Sequence, residues 1–261
     1  MKQFLITAIT SIVLFSSCKK DDTPEYNSNI KAPLSIEFDN VAGSSDLELD
    51  GGYKTANGDS IYITKLKYYV SNFKLTRTDG TVYTVPQEDS YFLVDESDEA
   101  THEAELEIPE GEYKTLSFTL GVDSLRSTMD ISQRTGVLDP AGAGADMYWT
   151  WNSGYIFFKL EGTSPQSMMG DVMYHIGGFG GYSSSTINNI KTITLDLSTR
   201  GVPKVKSGKQ TNVHLFVDAL KMFTGATNVS IAANPMVMFD PFSISIANNY
   251  VSMFKHDHTE N

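Results

Sequence analysis

Short runs in which apolar and polar residues alternate, separated by turn chemistry, constrain this chain more than any other feature. Leu34-Ser35-Ile36-Glu37-Phe38-Asp39 has the period of two that puts one face of a strand in a core and the other in water. Residues 61–78 offer either one long strand or two, with Leu66, Tyr68 and Val70 on one face. Asp79-Gly80 follows and, ahead of Thr81-Val82-Tyr83, predicts a type I′ hairpin. Further strands are expected at residues 91–95, 113–122, 171–176, 190–197 and 211–218, and a short helix or irregular loop at 124–133. Residues 219–223 and 242–254 read as helical or mixed. Such spacing implies a mainly β chain, an antiparallel β-sandwich with short helical insertions, in one domain over residues 34–261.

The segment ahead of that domain reads as an address. Residues 1–17 have the form of a signal peptide, with Lys2 followed by an apolar run at 4–15 that is too short to span a bilayer. It closes on Ser16-Ser17-Cys18, which resembles the lipobox whose cysteine carries the lipid of bacterial lipoproteins. Cys18 is the single cysteine of the 261 residues. Lys19-Lys20-Asp21-Asp22 resembles the export signal of surface lipoproteins in Bacteroidetes. The expected location is therefore the outer membrane, lipid-anchored and surface-exposed, with residues 18–33 as lipidated cysteine and flexible tether. With Cys18 acylated no internal disulfide can form, so the core alone must hold the fold. The formal charge is −12, and without Lys2 the balance is 19 basic against 32 acidic residues, or −13. That surface repels nucleic acid and suits cations.

Chemistry is narrowed first by what is missing: no P-loop, no dinucleotide glycine fingerprint and no Gly-x-Ser-x-Gly elbow. No enzymatic activity is expected. Met147-Tyr148-Trp149-Thr150-Trp151-Asn152-Ser153-Gly154-Tyr155 holds both tryptophans, at i and i+2, so in a strand both indoles leave one face. We expect Trp149, nearer the preceding loop, to border a site and Trp151 to pack. His175 closes a strand just before Gly177-Gly178, where backbone can approach closely. His256-Asp257-His258 places two imidazoles at i and i+2, able in a strand to reach one ion, with Asp257 turned away or supporting; a frayed polar tail is the alternative. His214 reads as a hydrogen-bonded structural residue and His102 as solvated. Imidazoles without thiolates suit copper or zinc, and the methionines could add thioethers. Acidic loops at residues 95–99 and around Asp123 and Asp146 would suit calcium, though a solvated surface is the more ordinary explanation of such runs.

These stretches carry a resemblance. Leu120-Gly121-Val122-Asp123, the tryptophan block, Tyr174-His175-Ile176-Gly177-Gly178 and Met253-Phe254-Lys255-His256-Asp257-His258 resemble the MbnP-like copper-binding family, named for a protein encoded beside the copper chelator methanobactin. The resemblance implies a secreted or lipid-anchored β-rich domain that binds copper. It also implies that Trp149 or Trp151 is oxidised to kynurenine by a partner di-haem enzyme resembling MauG. His175 with His256 or His258 would then complete the site. Opening the indole makes chemical sense, because its N–H is a donor only and the aniline nitrogen of kynurenine can ligate. Two other readings of the tryptophans stay open: a stacking platform for a carbohydrate or protein partner, and a core anchor. Sugar stacking requires exposed, roughly parallel rings, whereas the copper reading requires His175 to meet a C-terminal histidine and an indole.

Overall fold

In the computed structural model, which describes residues 25–151 and 154–261, β4 (Ser60–Arg77) is one unbroken strand of 18 residues. The signal peptide, Cys18, Asn152 and Ser153 lie outside the described residues. β4 bends at Asn72, whose φ of 54° is a left-handed value that asparagine tolerates, and its register against β8 (Gly111–Leu120) shifts between Ser71 and Lys74. The bend lets one strand serve several partners along its length: β3 (Gly52–Lys54), β5 (Val82–Thr84), β6 (Tyr91–Asp95), β8 (Gly111–Leu120) and β10 (Gly154–Thr163). The large sheet runs β12 (Lys191–Asp196), β8, β4, β10, β11 (Asp171–Gly177), β15 (Met236–Val237), with β13 (Lys204–Val205) on β8 and β9 (Tyr148–Trp149) on β10. The smaller sheet runs β16 (Phe254–Glu260), β14 (Asn212–Asp218), β1 (Lys31–Ala42), β2 (Ser45–Asp46), with β7 (Glu103–Pro109) also on β1.

The mainly β, sandwich-like class is the expected one, but the sheets are mixed: β1 pairs with β14 and β11 with β15 in parallel. The turn at Asp79-Gly80 also departs from type I′. Gly80 alone takes a positive φ, 93°, while Arg77 N–H bonds to Thr81 O, so the loop holds three residues. β1 starts at Lys31, three residues ahead of the expected start, and the backbone before it is already bonded to the domain through Asn27 N–H to Glu110 Oε2 at 2.9 Å.

Between the sheets lies one continuous apolar core. Phe38 of β1, Phe118 of β8 and Phe254 of β16 meet edge to face, with ring centroids 5.2 to 6.4 Å apart. Such contacts add to area burial by about 0.5–1.5 kcal/mol each. A buried polar chain is satisfied internally: Tyr68 O–H donates to Asn40 Oδ1 at 2.8 Å and Asn40 Nδ2 donates to Glu96 Oε2 at 2.8 Å. The outer face of the large sheet is covered as well. Tyr69, Tyr155, Phe157, Val122, Leu138 and Met147 form a second apolar cluster beneath the connection from β8 to β9. That explains why β10 is buried from Gly154 to Leu160 without alternation. The connection begins with α1 (Ser124–Thr128), capped by Asp123, whose carboxylate accepts from Arg126 N–H at 3.0 Å. α2 (Ser243–Tyr250) packs near the 3₁₀ turn Ala219–Phe223 through Asn249, which donates to Met222 O at 3.1 Å.

Candidate metal centre

β14 alternates Val213, Leu215 and Val217 into the core with His214 and Phe216 outward. On one side β1 sets Glu37 opposite His214; on the other β16 sets His258 opposite His214 and His256 opposite Leu215. Two residues of β14 thus face three of β16, a β-bulge with Asp257 as the extra residue. The bulge breaks the i, i+2 rule. His256 follows Leu215 inward, where it is buried and its Nε2 meets Thr259 Oγ1 at 3.0 Å, while His258 follows His214 outward. Asp257, expected either to turn away or to support the imidazoles, lies with His258: its Oδ2 is 2.7 Å from His258 Nδ1 and 3.6 Å from His214 Nδ1.

His214, Asp257 and His258 therefore form the one group among the described residues whose three ligand atoms, from His, Cys, Asp or Glu, all lie within 4.8 Å of one another. The two imidazole centroids are 4.8 Å apart, tilted by 31°. His214 Nδ1 is buried with no hydrogen-bond partner, a deficit worth about 1–3 kcal/mol that an ion in this position would relieve. On the far side of the ring, Nε2 lies 3.6 Å from both Glu37 Oε1 and Asp39 Oδ2. The hydrogen bond to Asp257 is the first cause holding His258 above the ordinary histidine value, and the same bond draws Asp257 below the carboxylate range. Burial pushes Asp39 up, with Asp46, Glu37 and Asp257 adding to it and His214 opposing. Two imidazoles, a carboxylate between them and an acidic surround are ligands that suit a divalent transition metal rather than an anion.

His175 is elsewhere. It projects from the outer face of the large sheet, where its Nε2 lies 2.8 Å from Glu161 Oε1, and burial pushes it below the ordinary histidine value against the pull of that bond. Its cross-strand neighbour Lys159 donates to Asp146 O at 2.7 Å and Asp146 Oδ1 at 2.6 Å. His175 and His258 thus look outward from opposite sheets, and the joint site expected of them does not form. Each strand carries its face correctly; what separates them is that β11 and β16 belong to different layers.

The tryptophans also exchange the parts expected of them. Trp149 is 6% exposed and belongs to the outer apolar cluster, while Trp151 is 64% exposed. β9 is two residues long and folds back so that Trp149 lies over Gly177, where a Cβ would come within 2.7 Å of the indole. Trp151, past the strand's end, rests on Trp149 with centroids 5.3 Å apart and planes tilted by 40°, and Phe239 meets both rings edge-on. Trp151 and Phe239 line a cleft of about 730 Å³ with Met129, Arg134, Phe179 and Tyr182. This is not the pair of exposed parallel rings that stacking on both tryptophans needs.

Three of the carboxylates considered for calcium are engaged by protein donors. Asp95 pairs with Lys67 at 2.8 Å, Asp146 with Lys159, and Asp123 with Asn72 Nδ2 at 3.0 Å, Tyr91 and the first turn of α1. His102, expected to be solvated, is partly buried and its Nε2 is 3.2 Å from Asp95 O. Sequence reasoning read His214 as a structural residue and gave Asp257 at most a supporting part. The alternation of β14 already placed His214 on the outer face; the bulge that brings Asp257 and His258 to it had no local signal.

A family model described as MbnP matches residues 31–239. Among solved structures, MbnP from Methylosinus trichosporium superposes with a TM-score of 0.52 at 16% identity, covering 83% of this chain and 87% of that one. At that identity the likeness carries the fold alone. No curated protein sequence matches the chain. His214 lies inside the matched residues; Asp257 and His258 lie beyond them.

Proposed function

This chain belongs to the MbnP family, and from that premise we propose that it is a copper-binding lipoprotein of the outer membrane that acquires, stores or delivers the metal and is not itself an enzyme. The observation that carries the reading is the unpartnered, buried Nδ1 of His214 facing Asp257 and His258. Copper is cargo here. His214 and His258 supply nitrogen ligands, Asp257 supplies an oxygen, and Glu37 and Asp39 on the far side favour a proton on His214 Nε2, which leaves Nδ1 free to ligate. Removing both imidazoles tests this directly. Titration of His214→Ala/His258→Ala with Cu(II) should show affinity lower by about 100-fold or more, since loss of supporting residues alone costs 10–100-fold. Undiminished affinity sinks the proposal.

The lipid on Cys18 holds the domain at the outer-membrane surface. Labelled palmitate should enter wild type and not Cys18→Ala. Of the two tryptophans, the exposed Trp151 is the one whose ring a di-haem oxidase resembling MauG could approach. Intact-mass analysis after exposure to such an enzyme should show conversion of one indole to kynurenine, absent in Trp151→Phe. An unchanged wild-type mass removes the modification from the account.

A further inference from the structure

Four of the ten methionines do not behave as core filler. Met147, Met222 and Met253 are buried in the apolar clusters, as is usual for this side chain. Four of the ten lie instead on the β10–β11 hairpin and the strand beside it: Met168, Met169, Met173 and Met236. Met168 and Met169 are 99% and 79% exposed in the connection between β10 and β11, and Met236 is 46% exposed on the edge strand β15. Covering apolar surface does not account for them.

Register brings two of them together with an imidazole. β11 and β15 pair in parallel with Met173 opposite Met236 and Tyr174 opposite Val237. Tyr174 and Val237 are buried, so Met173 and Met236 share the outer face. Two backbone-directed bonds fix this register, Met173 N–H to Pro235 O at 2.9 Å and Tyr174 O–H to Asn234 O at 2.8 Å. Adjacent residues on neighbouring strands hold their Cβ atoms about 5 Å apart, a span that two flexible thioethers can close on one ion. His175 is the next residue on the same face of β11. Glu161 accepts from its Nε2–H, which leaves Nδ1 as the unprotonated ring nitrogen.

We propose that Met173, Met236 and His175 form a second metal site, selective for Cu(I). Two thioethers and one neutral imidazole are a soft ligand set, which prefers Cu(I) to Cu(II) and to the harder divalent ions. The His214–Asp257–His258 group, with nitrogen and carboxylate oxygen only, is the complement of that preference. The proposal rests on reading the chain as a copper protein, but not on which residues make the first site.

The test uses the full-length lipoprotein in detergent under anaerobic conditions, titrated with Cu(I) against a chromogenic Cu(I) chelator and loaded for X-ray absorption. Met173→Leu/Met236→Leu keeps side-chain volume. It should lose Cu–S scattering and about 100-fold or more in Cu(I) affinity, beyond the 10–100-fold typical of supporting residues, while Cu(II) binding stays. Met236→Leu alone, at an exposed edge position, gives the same direction if the double variant folds poorly. In His214→Ala/His258→Ala the Cu–S signal should persist. Retained Cu(I) affinity in the methionine variants, or no Cu–S scattering in wild type, overturns the proposal. Wild-type protein that binds Cu(I) through sulfur but no Cu(II) refutes the first site and leaves this one standing.

Discussion

Asp146→Ala probes how the tryptophan hairpin is fastened to the sheet. Asp146 stands three residues before Trp149, and its carboxylate holds the Lys159 ammonium at 2.6 Å; the lysine side chain is 6% exposed and the aspartate 45%. Breaking a buried ion pair costs about 3–5 kcal/mol when the survivor is left bare. Here Lys159 keeps Asp146 O at 2.7 Å and Glu161 at 3.6 Å, and the aspartate is half in water. Screening therefore reduces the expected loss to about 1–2 kcal/mol. At about 2–4 °C per kcal/mol for a domain of this size, the melting temperature should fall by about 2–8 °C at pH 7. Burial raises the Asp146 pKa, but its bonds and charge interactions with Lys159 and Lys65 outweigh that and bring it from 3.8 to about 2. A folded value below the unfolded one gives stability that is complete above the unfolded value and is lost as pH falls through the folded one. The gap between variant and wild type should accordingly close between about pH 4 and pH 2. Thermal unfolding followed by circular dichroism across that range is the assay. A variant that melts within about 1 °C of wild type at pH 7, or a gap undiminished at pH 2, refutes the reasoning.

Other substitutions separate the roles of the aromatic residues. Trp149→Ala should cost about 3–5 kcal/mol as a buried aromatic truncation, and Trp151→Ala about 1 kcal/mol or less; denaturant melts showing equal losses would contradict the split. Gly177→Ala drives a Cβ into Tyr155 O and places it 2.7 Å from Trp149 Cζ3. It should destabilise by at least the usual overpacking cost of about 1–3 kcal/mol and shift Trp149 fluorescence to the red.

Local pattern was enough to find most strands and to put His214 on the face opposite Val213, Leu215 and Val217, because alternation is a property of the strand itself. Three features were not legible. The parallel pairing of β1 with β14 joins Glu37 to His214 across 177 positions, and no local signal reports it. The bulge at Asp257 reverses which of His256 and His258 faces out, although their spacing reads as an ordinary strand. The short β9 hairpin turns Trp149 over Gly177 and leaves Trp151 outside, so two residues two apart have opposite burial. Each depends on contacts made between layers or strands.

The central claim is that His214 and His258 hold one copper ion between them. Pulsed electron paramagnetic resonance of the Cu(II)-loaded protein counts coordinated imidazoles. Two are expected in wild type, one in His258→Ala and none in His214→Ala/His258→Ala. A spectrum that keeps two imidazoles in the double variant would contradict the claim.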